Sequence, residues 1–195
     1  RTALRTIAAH KIQGVSAAVF QSLSDQENTV PCLAAVALAE IDDPEGIPRL
    51  LNAAFDPEST FQFHTRAVPE SLKKLAAAEP GGTTLKTLLI PHLSSPRTQI
   101  RELAIYYFTL IGAPATSEVE QLLTHISLHD KSEYARELAI VNLRSSFGAT
   151  AAVAETMRTI MQTDVSHAVQ VRAATAFAVM HARLPVEELL RDQAL

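Results

Sequence analysis

In a chain of 195 residues with a formal charge of −4 and a pI near 6.0 there is no global attraction for polyanions, so a nucleic-acid role would need a local basic patch. Apolar residues make up 47% and charged ones 19%, which excludes disorder and allows a sizeable core, while 5% aromatic content without Trp suits close helix packing. No run reaches the roughly 18 apolar residues of a membrane span, no signal-peptide pattern stands at Arg1, and the single Cys32, with no internal disulfide partner, reads as a small buried hydrophobe.

The first helix carries Ala3, Leu4, Ile7 and Ala8 on one stripe and is expected to end near Gly14, after which Val15 to Leu23 gives a second amphipathic segment. Ala3-Leu4-Arg5-Thr6-Ile7 returns 34 residues on as Ala37-Leu38-Ala39-Glu40-Ile41. The expectation is therefore that the chain opens partway through a first helix, as a fragment of a longer protein with further repeats before Arg1. Asp25 is placed to cap a helix carrying Leu33, Val36, Ala37 and Ile41; Asp42-Asp43-Pro44 turns the chain, and Ile47, Leu50, Leu51, Ala54 and Phe55 face inward from the partner helix. Phe61-Gln62-Phe63-His64 opens a third unit that Pro69 should kink near Val68. Glu79-Pro80-Gly81-Gly82 reads as a loop, and Leu85, Leu88 and Leu89 mark a helix closing near Pro91.

Gln99-Ile100-Arg101-Glu102-Leu103-Ala104-Ile105 comes back 35 residues later as Tyr134-Ala135-Arg136-Glu137-Leu138-Ala139-Ile140. The same period reaches Thr65-Arg66-Ala67-Val68 and Val30-Pro31-Cys32-Leu33-Ala34-Ala35, and a step of 36 reaches Gln170-Val171-Arg172-Ala173-Ala174. A fixed period of this size with helix-favouring composition and no strand alternation is the pattern of stacked helical hairpins. Ile100, Leu103, Ala104, Tyr107 and Leu110 should pair with Val119, Leu122, Leu123 and Ile126; Ala135, Leu138, Ala139 and Leu143 with Val153, Ile160 and Met161; and Val171, Ala174, Phe177 and Ala178 with Val186, Leu189 and Leu190. The polar face of that final short helix, Glu187, Glu188, Arg191 and Asp192, would close the array. Asp25, Thr60, Ser95, Asp130 and Ser166 stand six residues before each motif position as helix caps, with Pro96 at a first helical position. Pro44, Pro80, Pro114 and Pro185 mark the hairpins, and Gly112 and Gly148 end the preceding helices. One repeat domain over 1–195 is expected, with repeats at about 1–24, 25–58, 59–94, 95–129, 130–164 and 165–195.

The run from Val30 through Leu51, Val30-Pro31-Cys32-Leu33-Ala34-Ala35-Val36-Ala37-Leu38-Ala39-Glu40-Ile41-Asp42-Asp43-Pro44-Glu45-Gly46-Ile47-Pro48-Arg49-Leu50-Leu51, resembles the HEAT-like repeat in the short Ala-rich form also found in bilin lyases. That resemblance, which extends over nearly the whole chain, implies an all-α fold: a right-handed α-α superhelix, or solenoid, of five to six armadillo-like hairpins. It further implies a ladder between units, in which an Asp near the start of a first helix joins an Arg six residues later. Asp130 and Arg136 match that pattern. Arg66, Arg101 and Arg172 keep the Arg but have Thr60, Ser95 and Ser166 as the earlier partner, and Pro31 replaces the Arg in the second unit.

His125 and His129 have the i, i+4 spacing of a metal-binding pair with Asp130 adjacent, but Ser127 to Asp130 reads as a helix end that would turn His129 away, so no metal site is assigned. Deoxyhypusine hydroxylase, an iron enzyme on a similar fold, relies on His-Glu pairs, and none of His10, His64, His92, His125, His129, His167 and His181 is followed by Glu. DNA glycosylases of the HEAT type use stacking aromatics including Trp, which this chain lacks. In Tyr106-Tyr107-Phe108 the helical spacing directs Tyr107 to the core and leaves Tyr106 outside. Basic character at Arg1, Arg5, Lys11 and Lys73-Lys74 forms no long stripe.

The function expected from these residues is a non-catalytic, cytoplasmic scaffold with no cofactor, which holds a protein or peptide partner on the concave face formed by second helices. Arg49, Asn52, Lys86, Gln121 and Arg158 are the exposed polar positions expected there. The alternative is prosthetic-group handling of the bilin-lyase kind, with nucleic-acid binding disfavoured by charge.

Overall fold

The computed structural model describes residues 1–22, 25, 29–41, 51, 55, 72–73, 76–77 and 81–182. Every regular element among them is helical, as the 34- to 35-residue period predicts, and no helix of the described residues is long and apolar enough to cross a membrane. The chain divides into two compact units, residues 1–89 and 90–195.

In the first unit, α1 (Thr2–His10) and α2 (Ser16–Gln21) both pack on α3 (Thr29–Glu40), and α4 (Gly81–Leu89) closes the unit in sequence. Leu4, Val19, Ala34, Ala37, Leu38 and Ile41 are buried. Helix α1 stops earlier than expected. Lys11 takes a left-handed conformation with φ of 49° and its amide returns to the Ile7 carbonyl, ending the helix at His10 before Gly14 is reached. Gly81 and Gly82 are not loop but the first turn of α4, where backbone amides need no helical partner and glycine costs little. The α-helix closes at Leu89, near Pro91 as expected. A 3-10 helix, Ile90–Ser94, follows and buries Leu93. The expected turn at Asp42–Pro44, the kink at Pro69, Thr60 and the helix around Val186 lie outside the described residues, as does the Cys32 side chain.

The second unit contains α5 (Thr98–Ile111), α6 (Ser117–His129), α7 (Glu133–Phe147), α8 (Ala151–Thr163) and α9 (His167–His181). Their ends follow local chemistry. Thr116 and Thr150 accept hydrogen bonds from the amides of Val119 and Val153, capping α6 and α8, while Ser132 and Ser166 do the same for α7 and α9 through Ala135 and Val169. Gly112 and Gly148 end α5 and α7 at positive φ, 79° and 67°, as their place in the period predicts. The expected caps Ser95, Asp130 and Ser166 prove to be two different positions. Ser95 and Asp130 stand two residues before the true N-caps Arg97 and Ser132, accepting bonds from the amides of those residues, and only Ser166 is itself a cap. Pro96 consequently lies before α5, not at its first helical position.

Packing joins α5 to α7 and α7 to α9 side by side, while α6 makes its most extensive approach to α7, and α8 to α9. The tight antiparallel pairs thus bridge the short connections at 130–132 and 164–166, and the expected α5–α6 and α7–α8 pairs are looser. Tyr107, Phe108, Ile105, Leu123, Ile140 and Leu143 are fully enclosed, each apolar side chain contributing roughly 2 kcal/mol by burial. Among the polar side chains that enter this core is Asn142 on α7, whose amide donates to the Ile105 carbonyl (3.1 Å) and Thr109 Oγ1 (2.8 Å) of α5, clamping the two first helices together.

At the ends of the same helices runs a ladder of ion pairs. Arg101 on α5 places Nε and Nη2 on the two carboxylate oxygens of Asp130 (2.6 and 2.8 Å) and Nη1 on the Ser95 carbonyl (2.8 Å). Arg136 on α7 repeats this one unit along, with Asp164 (2.8 and 2.9 Å) and the Asp130 carbonyl (2.8 Å). Asp130 and Asp164 also accept the amides of Ser132 and Ser166. The hydrogen bond between Asp130 and Arg136 that the ladder implies is present and is made by the Asp130 carbonyl, while the Asp130 carboxylate takes the preceding Arg101. Arg172 lies outside the ladder, half-exposed on Glu137 (3.0 Å). The position equivalent to Arg101 and Arg136 is Gln170, whose Nε2 donates to the Asp164 carbonyl (2.7 Å).

That equivalence resets the last repeat. The step from Arg136 is 34 residues, not 36, and a two-residue shift turns a helix by about 200°. Val169, Ala173, Ala176 and Met180 are buried, whereas Val171, assigned inward, is 50% exposed, Ala174 and Ala178 are exposed and Phe177 is half-buried.

Leu138→Asp places a carboxylate in the α7 core and should lower stability by about 3 kcal/mol or more, read as a fall in the urea midpoint; an unchanged midpoint contradicts the stacked-repeat packing. Burial pushes the Asp130 carboxyl up, but hydrogen bonds from Arg101 and the Ser132 amide, with the charges of Arg101 and Arg136, outweigh it and hold the carboxyl below its ordinary value. A carboxyl lowered by folding contributes stability above its unfolded pKa and loses it as pH falls through the folded value. Asp130→Asn should thus cost about 3 kcal/mol at neutral pH, with the gap to the unsubstituted protein closing below about pH 4 in urea titrations.

Candidate functional site

On α6 the residues Glu118, Gln121, His125 and His129 are all exposed and fall along one side, while Val119, Leu123, Ile126 and Ser127 are buried on the other. Spacings of three and four bring successive side chains over one another into a continuous ridge. At its N-terminal end the ridge borders an open groove of about 480 Å³ lined by Ile90, Pro91, Ser94, Glu118, Gln121 and Leu122. Ile90, Pro91 and Leu122 give it an apolar floor; Ser94 and Gln121 supply neutral hydrogen-bonding groups and Glu118 a carboxylate. Leu122, expected in the core, is only half-buried because it forms part of this floor. His92, in the same 3-10 helix as Ile90 and Pro91, has its pKa lowered by burial.

Of the five positions expected to meet a partner, Gln121 lines the groove. Arg158, on α8, is engaged within the chain: it pairs with Glu155 (3.2 Å) and lies 5.1 Å above the Phe177 ring. Lys86 is half-buried on α4 in the first unit. Arg49 and Asn52, and the ladder position Arg66, lie outside the described residues.

The histidine pair departs from expectation. Helix α6 runs through His129, so the i, i+4 geometry persists to its last residue and the two rings lie 5.1 Å apart, tilted by 56°. No group of three His, Cys, Asp or Glu among the described residues is arranged to hold a metal ion.

Tyr107 is buried, as spacing predicts, and so is Phe108, while Tyr106, expected outside, is half-buried; burial raises the Tyr107 pKa. Sequence reasoning missed Tyr134, 52% exposed on α7, whose pKa is raised by partial burial and then by Tyr106, Glu102 and Glu137. It also missed Asp164, Gln170 and Ser132, although Asp130-Lys131-Ser132 returning as Asp164-Val165-Ser166 at a step of 34 would have revealed all three.

No family model matches the chain, and no curated protein matches it. Among solved structures it is similar to computationally designed armadillo repeat proteins for modular peptide recognition, with 16% identity, 91% of each chain covered and a TM-score of 0.42. Peptide recognition is the purpose of those designed proteins.

Proposed function

We propose that this chain is a non-catalytic scaffold that holds a protein or peptide partner along the exposed ridge of its second helices. The observation that supports this reading is the groove beside α6, where apolar floor and neutral hydrogen-bonding groups adjoin without a covering element among the described residues. Such a surface suits an extended segment: an apolar side chain displaces water from Ile90, Pro91 and Leu122, and Gln121 and Ser94 can bond main-chain groups. Glu118 and Glu120, in the first turn of α6, favour a basic residue beside the apolar anchor. The caps at Thr116 and the buried opposite face hold the ridge in one geometry before binding, which limits the ordering cost to the partner.

Affinity capture followed by cross-linking and mass spectrometry should place partner contacts on residues 90–94 and 117–129. Replacing both Glu118→Lys and Gln121→Arg should weaken binding about tenfold, roughly 1.4 kcal/mol, whereas Tyr134→Ala, on the first-helix side, should leave it unchanged. Cross-links confined to α5, α7 and α9 overturn the placement.

A further inference from the structure

We propose that His125 and His129 form a bidentate site for a divalent transition ion that prefers imidazole, such as Zn²⁺. The inference is independent of the scaffold reading. Both rings stand exposed on one side of α6, one turn apart, with centroids separated by 5.1 Å. An ion held tetrahedrally at about 2.0 Å from one nitrogen of each ring keeps the ring centres about 5 Å apart, so capture requires ring rotation and no movement of the helix. The site lies in the last turn of α6, where the carbonyl ends of the helix favour positive charge.

The adjoining Asp130 is not a third ligand. Its carboxylate is 3% exposed, forked by Arg101 and bonded by the Ser132 amide. With no third His, Cys, Asp or Glu of the described residues in reach, the remaining coordination positions are filled by water and face solvent. A metal with open positions on an exposed ridge exchanges those waters for an outside ligand, such as a histidine, cysteine or carboxylate of another molecule.

Titration of the tag-free chain with zinc chloride, followed by calorimetry and by the histidine ring resonances, tests the site. The expected result is saturable one-to-one binding that shifts the His125 and His129 resonances together. His125→Ala and His129→Ala should each weaken binding at least tenfold, while His167→Ala, on α9, should not alter it. Both substitutions fall at exposed positions, and far-UV circular dichroism checks that the helices persist. Absence of binding at millimolar zinc, or equal binding by the His125→Ala/His129→Ala double variant, overturns the proposal.

Discussion

The guanidinium of Arg136 is held between two connections of the chain, on the Asp164 carboxylate ahead and the Asp130 carbonyl behind, with the whole residue only 7% exposed. A charge removed from water to that degree is tolerated only when its donors are met, and here the same loops that join the helices meet them. Asp130 serves three partners at once: its carboxylate takes Arg101 and the Ser132 amide, and its carbonyl takes Arg136. Each connection is thereby tied to the repeat before and the repeat after it. Against a hydrophobic substitute of similar size such a pair adds little net stability, but a misplaced neighbour would leave it unpaired, so its effect is to fix the register between hairpins. The clamp from Asn142 to α5 has the same character inside the core.

With the first helices stacked and their ends joined by the ladder, α6 presents its polar side to solvent. Helix α8 does so less freely, since Arg158 is drawn onto Glu155 and Phe177. Two kinds of chemistry are left along α6: the apolar and amide groups of the groove at its N-terminal end and the imidazoles at its C-terminal end. They are separated by one turn and neither requires the other.

Much of the second unit was legible in its residues. Gly112 and Gly148 mark the ends of α5 and α7 because a left-handed or otherwise positive φ is a local demand that glycine meets at low cost. Ala104, Tyr107, Leu123 and Leu143 are buried because the 3.6-residue period aligns them on one face. The last repeat departs from its expected register for an equally physical reason. Arg172 matched Arg136 in type, so the alignment followed side-chain identity, yet the position carrying the ladder contact holds Gln170. Glutamine can donate to the Asp164 carbonyl as arginine does, but it lacks the charge for a further carboxylate. The loop tripeptides headed by Asp130 and Asp164, not the helical residues, carry the true register.

From the amino-acid sequence alone came the helical class, the length of the repeat, most of the buried face of α6 and α7, half of that of α5 and α8, and the candidate standing of Gln121 and of the histidine pair, because periodicity and turn chemistry act over a few neighbouring residues. Which carboxylate meets which arginine, which helix lies tight against which, and whether His129 remains beside His125 were decided only in three dimensions. Those outcomes depend on groups about 28 to 37 residues apart competing for the same partners, and no local spacing specifies the winner of that competition.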